Sequence, residues 1–449
     1  MEIKRYTADF ETCTWLEDET YVWAWALCEI GGKYNIKTGT DIEMFIRNLE
    51  YLKNTYVYFH NLKFDGEFVI YYLLNNGFRA LLPGEEKASK TFDCLISEMG
   101  MWYSIDIYFE VDGKQVKSKT KLIDSLKIIP FSVEFIASKK CFNLPISKLE
   151  IDYNEYREKG HILTPIEQEY IKNDVKIVAL ALNEFFKKGL KKMTGGANAL
   201  SDFKKILGKE KYEYLFPKLP KEVDEDIRKA YRGGFTYLNP EYEEKEVGSG
   251  VVLDVNSLYP SVMYDEFLPF GDPVFYEGNY EGDEYYPLFI QRITCTFKLK
   301  EGKIPTIQIK NNQSYFIPNE YITDSGTEPV ALTLTSVDLE LFFMQYEVYD
   351  LDYVCGWKFK AVKGAFKEYI DKWTKEKIEA GKKGNSGLRT IAKRMLNSLY
   401  GKLASSLKGN KKIPFVDENG IVQYYDSEPE ERKGVYLPAR LLYNFLCKI

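Results

Sequence analysis

Four acidic side chains in the first 174 residues have the types and placing that metal-assisted phosphodiester chemistry requires. Asp9-Phe-Glu11 closes the run Tyr6–Phe10, which reads as a strand. Strand side chains alternate, so both carboxylates leave the same face. Asp65 follows Asn61-Leu-Lys-Phe64 at a loop-to-helix junction, and Asp174 stands four residues after Tyr170 on one helix face. Four carboxylates can hold two Mg²⁺ (or Mn²⁺) ions, one activating water and the other stabilising the leaving oxygen. Tyr170 can hydrogen-bond the attacking water. Taken singly, Asp-x-Glu or Tyr-x-x-x-Asp recurs by chance and is more often structural. Three such segments in order, on a strand, a junction and a helix, are far more specific.

A second constellation points to nucleotidyl transfer. Asp254-Val-Asn-Ser-Leu-Tyr-Pro260 puts a carboxylate after Gly250-Val-Val-Leu253, an apolar run that reads as a buried strand. Lys393-Arg-Met-Leu-Asn-Ser-Leu-Tyr-Gly401 places Lys393, Asn397 and Tyr400 on one helical face. The carboxylate suits Mg²⁺, the lysine a triphosphate, and the ring a base pair. Alone, Asp254 reads equally as a strand-end cap; with Ser257-Leu-Tyr-Pro260 attached, the chemical reading is the stronger one.

The elements that position these residues follow from periodicity. Tyr6–Phe10, Tyr21–Glu29 and Tyr56–Phe59 read as strands, and Asp41–Leu52 and Phe64–Asn75 as helices. Met101–Phe109 and Thr120–Ile123 form a hairpin across Asp112-Gly113. Thr164-Pro165 caps a long helix running to about residue 188. Gly195-Gly196-Ala-Asn-Ala reads as a linker between domains. Residues 266–354 read as less regular, and Lys363–Ala380 and Ser386–Ala404 as helices. The 449 residues are too many for one core, so the sequence predicts an α/β (α+β) multidomain chain.

Composition narrows the partners. The net charge is −6, yet Lys358–Lys412 carries sixteen Lys and Arg against four acids, leaving −18 on the remainder. Such a block suits a polyanion better than a merely solvated surface. No apolar stretch approaches the roughly 18 residues of a membrane span. The N-terminus has no signal-peptide pattern, and seven cysteines without C-x-x-C suit a reducing cytoplasm. Two histidines, His60 and His161, argue against a histidine-built zinc site.

The two later segments resemble motifs A and B of family B DNA polymerases. The N-terminal acids resemble the three motifs of DnaQ-like (RNase H-like) 3′–5′ exonucleases. Tyr58-Phe-His60-Asn61-Leu-Lys-Phe64-Asp65-Gly66 is similar to the protein-primed polymerases of small tailed bacteriophages. The resemblance implies metal ligation by Asp9, Glu11, Asp65 and Asp174, with Tyr170 orienting water and Lys148 assisting. It implies contacts to single-stranded DNA from Thr12, Asn61, Phe64, Ser125 and Leu126. His60 reads either as such a contact or as a satisfied loop histidine. Tyr231-Arg232-Gly233-Gly234 matches the linker motif that moves DNA between synthesis and editing.

In the polymerase half the resemblance makes Asp254 and the Val255 carbonyl metal ligands, and Tyr259 the ring beneath the incoming sugar. Lys377, Arg389 and Lys393 would face dNTP phosphates, although Arg389 replaces a lysine. Asn397 and Tyr400 would line the nascent pair. The implied layout is an exonuclease domain over 1–190, linker motif and first palm part over 191–265, and a terminal-protein-docking insertion over 266–354. Fingers and the motif B helix would occupy 355–406, and a second insertion with an incomplete palm 407–449. Expected partners are a single-stranded 3′ end, primer–template DNA and a terminal protein, in a bacterial host's cytoplasm.

Motif C of the family, Tyr-x-Asp-Thr-Asp, follows motif B, and no aspartate occurs after Gly434. The sequence-level expectation is therefore impaired polymerisation, no thumb, and a persisting exonuclease. Alternatives are half of a split polymerase, with motif C on a second polypeptide, or a non-catalytic DNA- or terminal-protein-binding remnant. Tyr349-Asp350-Leu-Asp352-Tyr353 mimics motif C but lies upstream of motif B, and reads as a strand edge.

Overall fold

Buried on both faces, a strand becomes a nearly continuous apolar run, and Val22–Glu29 is one. It belongs to a computed structural model that describes residues 3–13, 19–232, 234–235, 237–255, 257–308, 321–405 and 408–431. The chain divides into two units. One is built on the residues up to Asn198 with Lys375–Arg394 and residues 408–431; the other is built on Ala199–Thr374 with residues 395–405.

The first unit contains an eight-stranded sheet: β1 (Lys4–Thr12), β2 (Val22–Glu29), β3 (Ile36–Gly39), β4 (Thr55–Phe59), β5 (Arg79–Ala80), β6 (Thr91–Ile96), β7 (Trp102–Asp112) and β8 (Gln115–Asp124). Their order is β3-β2-β1-β4-β8-β7-β6-β5, with β1, β4 and β8 mutually parallel. One face packs against the helices α1 (Ile42–Leu52) and α2 (Leu62–Asn75) through Phe10, Trp25, Phe45, Phe59, Val69 and Leu73. Gly66 lets α2 lie close to β7, since a Cβ there would fall 2.7 Å from the Trp102 ring. The other face presents Ala24, Ala26 and Cys28 to Tyr170, Val175 and Ala179. Those last residues lie on the long helix Pro165–Lys187, which is α4 in chain order after the short α3 (Val133–Ala137). Thr164 caps its start with Pro165 in the first turn, as the sequence predicts, and Glu167 completes a capping box.

The second unit is organised by four antiparallel strands in the order β11-β10-β12-β9: β9 (Phe267–Glu277), β10 (Leu288–Leu299), β11 (Val330–Thr335) and β12 (Tyr346–Lys363). The expectation of irregular structure across 266–354 is thus corrected. Ile293, Cys295 and Phe297 alternate into a core with Leu334, Phe342 and Tyr346. At the register shifts Arg292/Ile293 and Thr294/Thr296 the extra residues lie in β12, so the two-residue period fails in β12 while it holds along β10. Tyr349–Tyr353 pairs with β10 alone, because β9 pairs only from Cys355 onward; the segment is a strand edge, with a left-handed Asp350.

Three further expectations are corrected. The glycine-rich linker is the start of a helix, Gly195–Leu207, with Thr194 Oγ1 accepting the Ala197 N–H. Lys363 ends β12 and the helix begins at Lys367, because Gly364 turns the chain with φ +76°. Gly250–Leu253 forms no strand: Val251, Val252 and Leu253 are 85%, 97% and 88% exposed. No described strand offers this run a backbone ladder, and hydrophobicity alone cannot supply one. The segment Val435–Ile449, and with it the region where motif C was sought, lies outside the described residues.

Candidate active site

Alternation along β1 turns Thr7, Asp9 and Glu11 away from the face that holds Ala8 and Phe10, toward α4. Thr7 Oγ1 donates to the Val175 carbonyl at 2.8 Å, fixing the helix over the strand. Asp174 directly precedes Val175 on α4, and Tyr170 stands one turn before Asp174. The parallel pairing of β1 with β4 brings the start of α2 beside β1, where the Phe10 N–H donates to Asp65 Oδ1 at 3.3 Å. Three segments far apart in sequence therefore meet.

Glu11, Asp65 and Asp174 are only 8%, 3% and 4% exposed, so their charges face one another in a low dielectric. Burial, reinforced by Asp174, raises Asp9 to about 7. Burial, then Asp9 and Asp174, raises Glu11 to about 9. Asp65 is also pushed well up, by burial and then by Asp9. The relieving charge is Lys148, whose Nζ donates to Asp174 Oδ2 at 2.7 Å and to the Tyr170 hydroxyl at 3.3 Å. Burial opposes the Lys148 charge, but the bond to Asp174 prevails and its pKa is raised. Tyr170 is held protonated by burial and by Glu11.

Hard oxygen donors crowded in this way suit divalent cations. Asp174 Oδ1 is buried without a hydrogen-bond partner, as an oxygen reserved for a cation would be. Among the described residues no three acids already converge as a finished ligand set. The acids form a charged wall, and the donor chemistry rather than a ready geometry carries the fit.

Sequence reasoning missed Tyr153, whose hydroxyl hydrogen-bonds that of Tyr170. It also missed Arg157, which pairs with Glu167 beneath that loop and stacks 4.7 Å from the Trp23 ring. Neither has a local pattern that marks it in the sequence.

Around this cluster Asn61 and Phe64 are exposed, while Thr12 and Leu126 are half-buried. Ser125 is fully buried, and its hydroxyl lies 2.9 Å from the Phe59 carbonyl. His60 has both ring nitrogens engaged, Nδ1 with Ser125 Oγ at 2.9 Å and Nε2 with the Phe131 carbonyl at 2.6 Å. Burial lowers the His60 pKa, favouring a neutral ring with Nε2–H donating. As placed, the side-chain polar atoms of His60 and Ser125 bond within the protein, tying the residues after β4 to those after β8.

The second constellation is arranged differently. Asp254 and Val255 are exposed, at the end of the unpaired apolar run. Tyr259, on the helix Leu258–Asp265, stacks on Tyr400 with centroids 4.1 Å apart and an 8° angle between planes. A Cβ on Gly234 would stand 3.6 Å from the Tyr259 hydroxyl. Tyr231 and Arg232 lie in the same extended segment, and Gly233 falls outside the described residues. Lys393 and Asn397 lie on the open face of the helix Ser386–Leu403, opposite the buried Ala392, Leu396, Leu399 and Leu403. Lys377 is half-buried on the preceding helix, and Arg389 is exposed and packs beside Gly381. Among the described residues no helix is long and apolar enough to cross a membrane.

Comparison with known proteins matches residues 46–168 and 150–446 to the family described as DNA polymerase type B, organellar and viral. The chain is 48% identical to the DNA polymerase of Bacillus phage M2 over 439 residues, which is 98% of this chain and 74% of that one. It is 31% identical to the DNA polymerase of Streptococcus phage Cp-1, over 99% of this chain and 77% of that one. Among solved structures it is similar to phi29 DNA polymerase complexed with primer-template DNA and incoming nucleotide substrates. That likeness has a TM-score of 0.90 at 43% identity, covering 100% of this chain and 76% of the other. Phi29 DNA polymerase complexed with single-stranded DNA matches with a TM-score of 0.85.

Proposed function

This chain belongs to the organellar and viral type B DNA polymerases, and from that premise we propose a division of labour within it. It is a nucleotidyltransferase by family, of the protein-primed kind found in phages. Its first unit removes nucleotides from single-stranded 3′ ends. The meeting of Asp9, Glu11, Asp65 and Asp174 with Lys148 and Tyr170 carries this reading.

In hydrolysis, Mg²⁺ or Mn²⁺ would supply an activated water and stabilise the leaving oxygen when held by Asp9, Glu11, Asp65 and Asp174. Tyr170 stays protonated and can donate to the attacking water, while Tyr153 fixes its hydroxyl. Lys148 holds Asp174 and offsets the acidic surplus. Phe64 offers a ring to a terminal base, and Asn61, Thr12 and Leu126 border the strand.

In synthesis, Lys393, Lys377 and Arg389 bind the dNTP phosphates, and Asp254 with the Val255 carbonyl is the metal-holding end. Tyr259 and Tyr400 part to admit a sugar and base, beside Asn397. Tyr231–Gly234 supports DNA, and residues 266–354 receive a terminal protein. These activities place the chain in phage DNA replication, in the host cytoplasm.

Incubation of a 5′-labelled single-stranded oligonucleotide with Mg²⁺ tests the proposal. The expected result is stepwise 3′ shortening that disappears in Asp9→Ala/Asp65→Ala. Equal shortening by that variant would reject it.

A further inference from the structure

Two loops that leave neighbouring parallel strands carry the residues proposed to border a single strand. Asn61 and Phe64 follow β4, and Leu126 follows β8. Phe59 and Asp124 are register partners at the two strand ends, so the loops depart side by side. Between them lies the Asp124 carboxylate, with its side chain 1% exposed. Its Oδ1 accepts the Asn61 N–H at 3.2 Å and the Leu126 N–H at 2.9 Å. Its Oδ2 faces Lys127 Nζ at 3.4 Å. One buried oxygen thus joins both loops by their backbones.

Asn61 needs that tie. Its φ of +86° and ψ of +58° lie in the left-handed region, which a β-carbon disfavours, and its own side chain makes no capping bond. From this turn Asn61 and the first turn of α2 project outward, leaving Phe64 48% exposed. Leu126 is the second residue of a short 3₁₀ turn, Ser125–Lys127, whose N-cap is Asp124 itself. His60 and Ser125 brace the same two loops from below.

We infer that Asp124 is a positioning residue for binding of single-stranded DNA: it touches no strand, but fixes the spacing of Asn61 and Phe64 against Leu126. The inference rests on the exonuclease reading for its ligand and adds a residue that no metal or strand contact would reveal. A carboxylate accepting two buried N–H groups is poorly replaced by water, so the loops should separate when it is removed. Of the cleavage machinery, Asp9, Glu11, Asp174 and Lys148 lie on β1, α4 and the loop before α4, while Asp65, on the first turn of α2, is held by the Phe10 N–H and not by Asp124, so cleavage should be little changed.

The test uses the full chain and two variants, Asp124→Ala and Asp124→Asn; the asparagine keeps an oxygen for both N–H groups. Binding of a fluorescent oligo(dT) is read by anisotropy without divalent metal. Hydrolysis is read with Mg²⁺ on the oligonucleotide and on p-nitrophenyl thymidine 5′-monophosphate, which is too small to span the loops. For Asp124→Ala the expected result is a Kd and KM for the oligonucleotide raised about tenfold, with kcat and small-ester hydrolysis within about twofold of wild type. Asp124→Asn should recover most of the affinity. An unchanged Kd, or a fall in kcat on both substrates, would overturn the inference. Failure of the exonuclease reading looks different: the wild-type chain would hydrolyse neither substrate, while the anisotropy still decides the role of Asp124. Should Asp124→Ala not fold, amide exchange in the wild-type chain decides: oligo(dT) must slow exchange at Asn61 and Leu126, and no change there would overturn the inference.

Discussion

The carboxylates around Asp9 and the carboxylate of Asp254 are held in opposite ways. Asp65 and Asp174 are buried, tied to a backbone N–H and a lysine, and close enough to disturb one another's ionisation. Asp254 ends an extended segment whose three preceding residues are among the most exposed apolar side chains of the chain. A preorganised charge lowers a barrier without reorganising at the moment of reaction, whereas a solvated one must be gathered first. Of the two halves, the first has its acids buried and partnered, although among the described residues they do not yet converge as a ligand set. The second has its aromatic pair, Tyr259 on Tyr400, assembled ahead of its carboxylate.

This contrast can be broken or sharpened in several ways. Chelating divalent metal should have the largest effect, a fall of at least about a thousandfold in 3′ shortening, restored by Mg²⁺ or Mn²⁺. Shortening that persists in chelator would remove the acids from the mechanism. Lys148→Ala comes next: it leaves Asp174 without its cation and should slow degradation by roughly 10–100-fold in a single-turnover assay, as loss of an outer-shell partner does. Tyr400→Ala should act only on the other half, raising the KM for dNTP about tenfold in primer extension while shortening stays at the wild-type rate. An effect on shortening would show the halves to be less separate than argued.

The smallest effect concerns stability. Burial alone would raise Glu167, but Arg157, His161 and Thr164 outweigh it and hold it at about 2. A carboxyl depressed on folding stabilises fully above its ordinary value near 4.5, and that contribution is lost as pH falls toward 2. Thermal melts should therefore show wild type losing stability across that window. Arg157→Met should be less stable at neutral pH, and the gap should narrow in acid. A gap independent of pH would mean that Arg157 acts through its packing on Trp23 instead.

Much of the first half is legible in the sequence because its signals are local. Thr164-Pro165 announces α4, and its period places Tyr170 and Asp174 together. Asp9 and Glu11 share a face by alternation alone. The strand β3 escapes such reading because it is short and takes its register from β2. In the second half the period-two pattern of β12 is broken by bulges opposite β10. Gly250–Leu253 shows the converse error: an apolar run marks a strand only when another strand lies beside it. Tyr153, Arg157 and Asp124 went unread for a related reason, since a tyrosine, a buried arginine and a strand-end aspartate acquire their roles from loops that only the fold brings together.

The central claim is that the chain's prebuilt chemistry lies with Asp9, Glu11, Asp65 and Asp174 rather than with Asp254. A crossed comparison tests it most directly: single-turnover 3′ shortening of one labelled oligonucleotide by wild type, Asp9→Ala/Asp65→Ala and Asp254→Ala, at saturating Mg²⁺. The account requires shortening to vanish in the double variant and to continue in Asp254→Ala at the wild-type rate. Shortening that survives in the double variant, or that falls with Asp254, would contradict it.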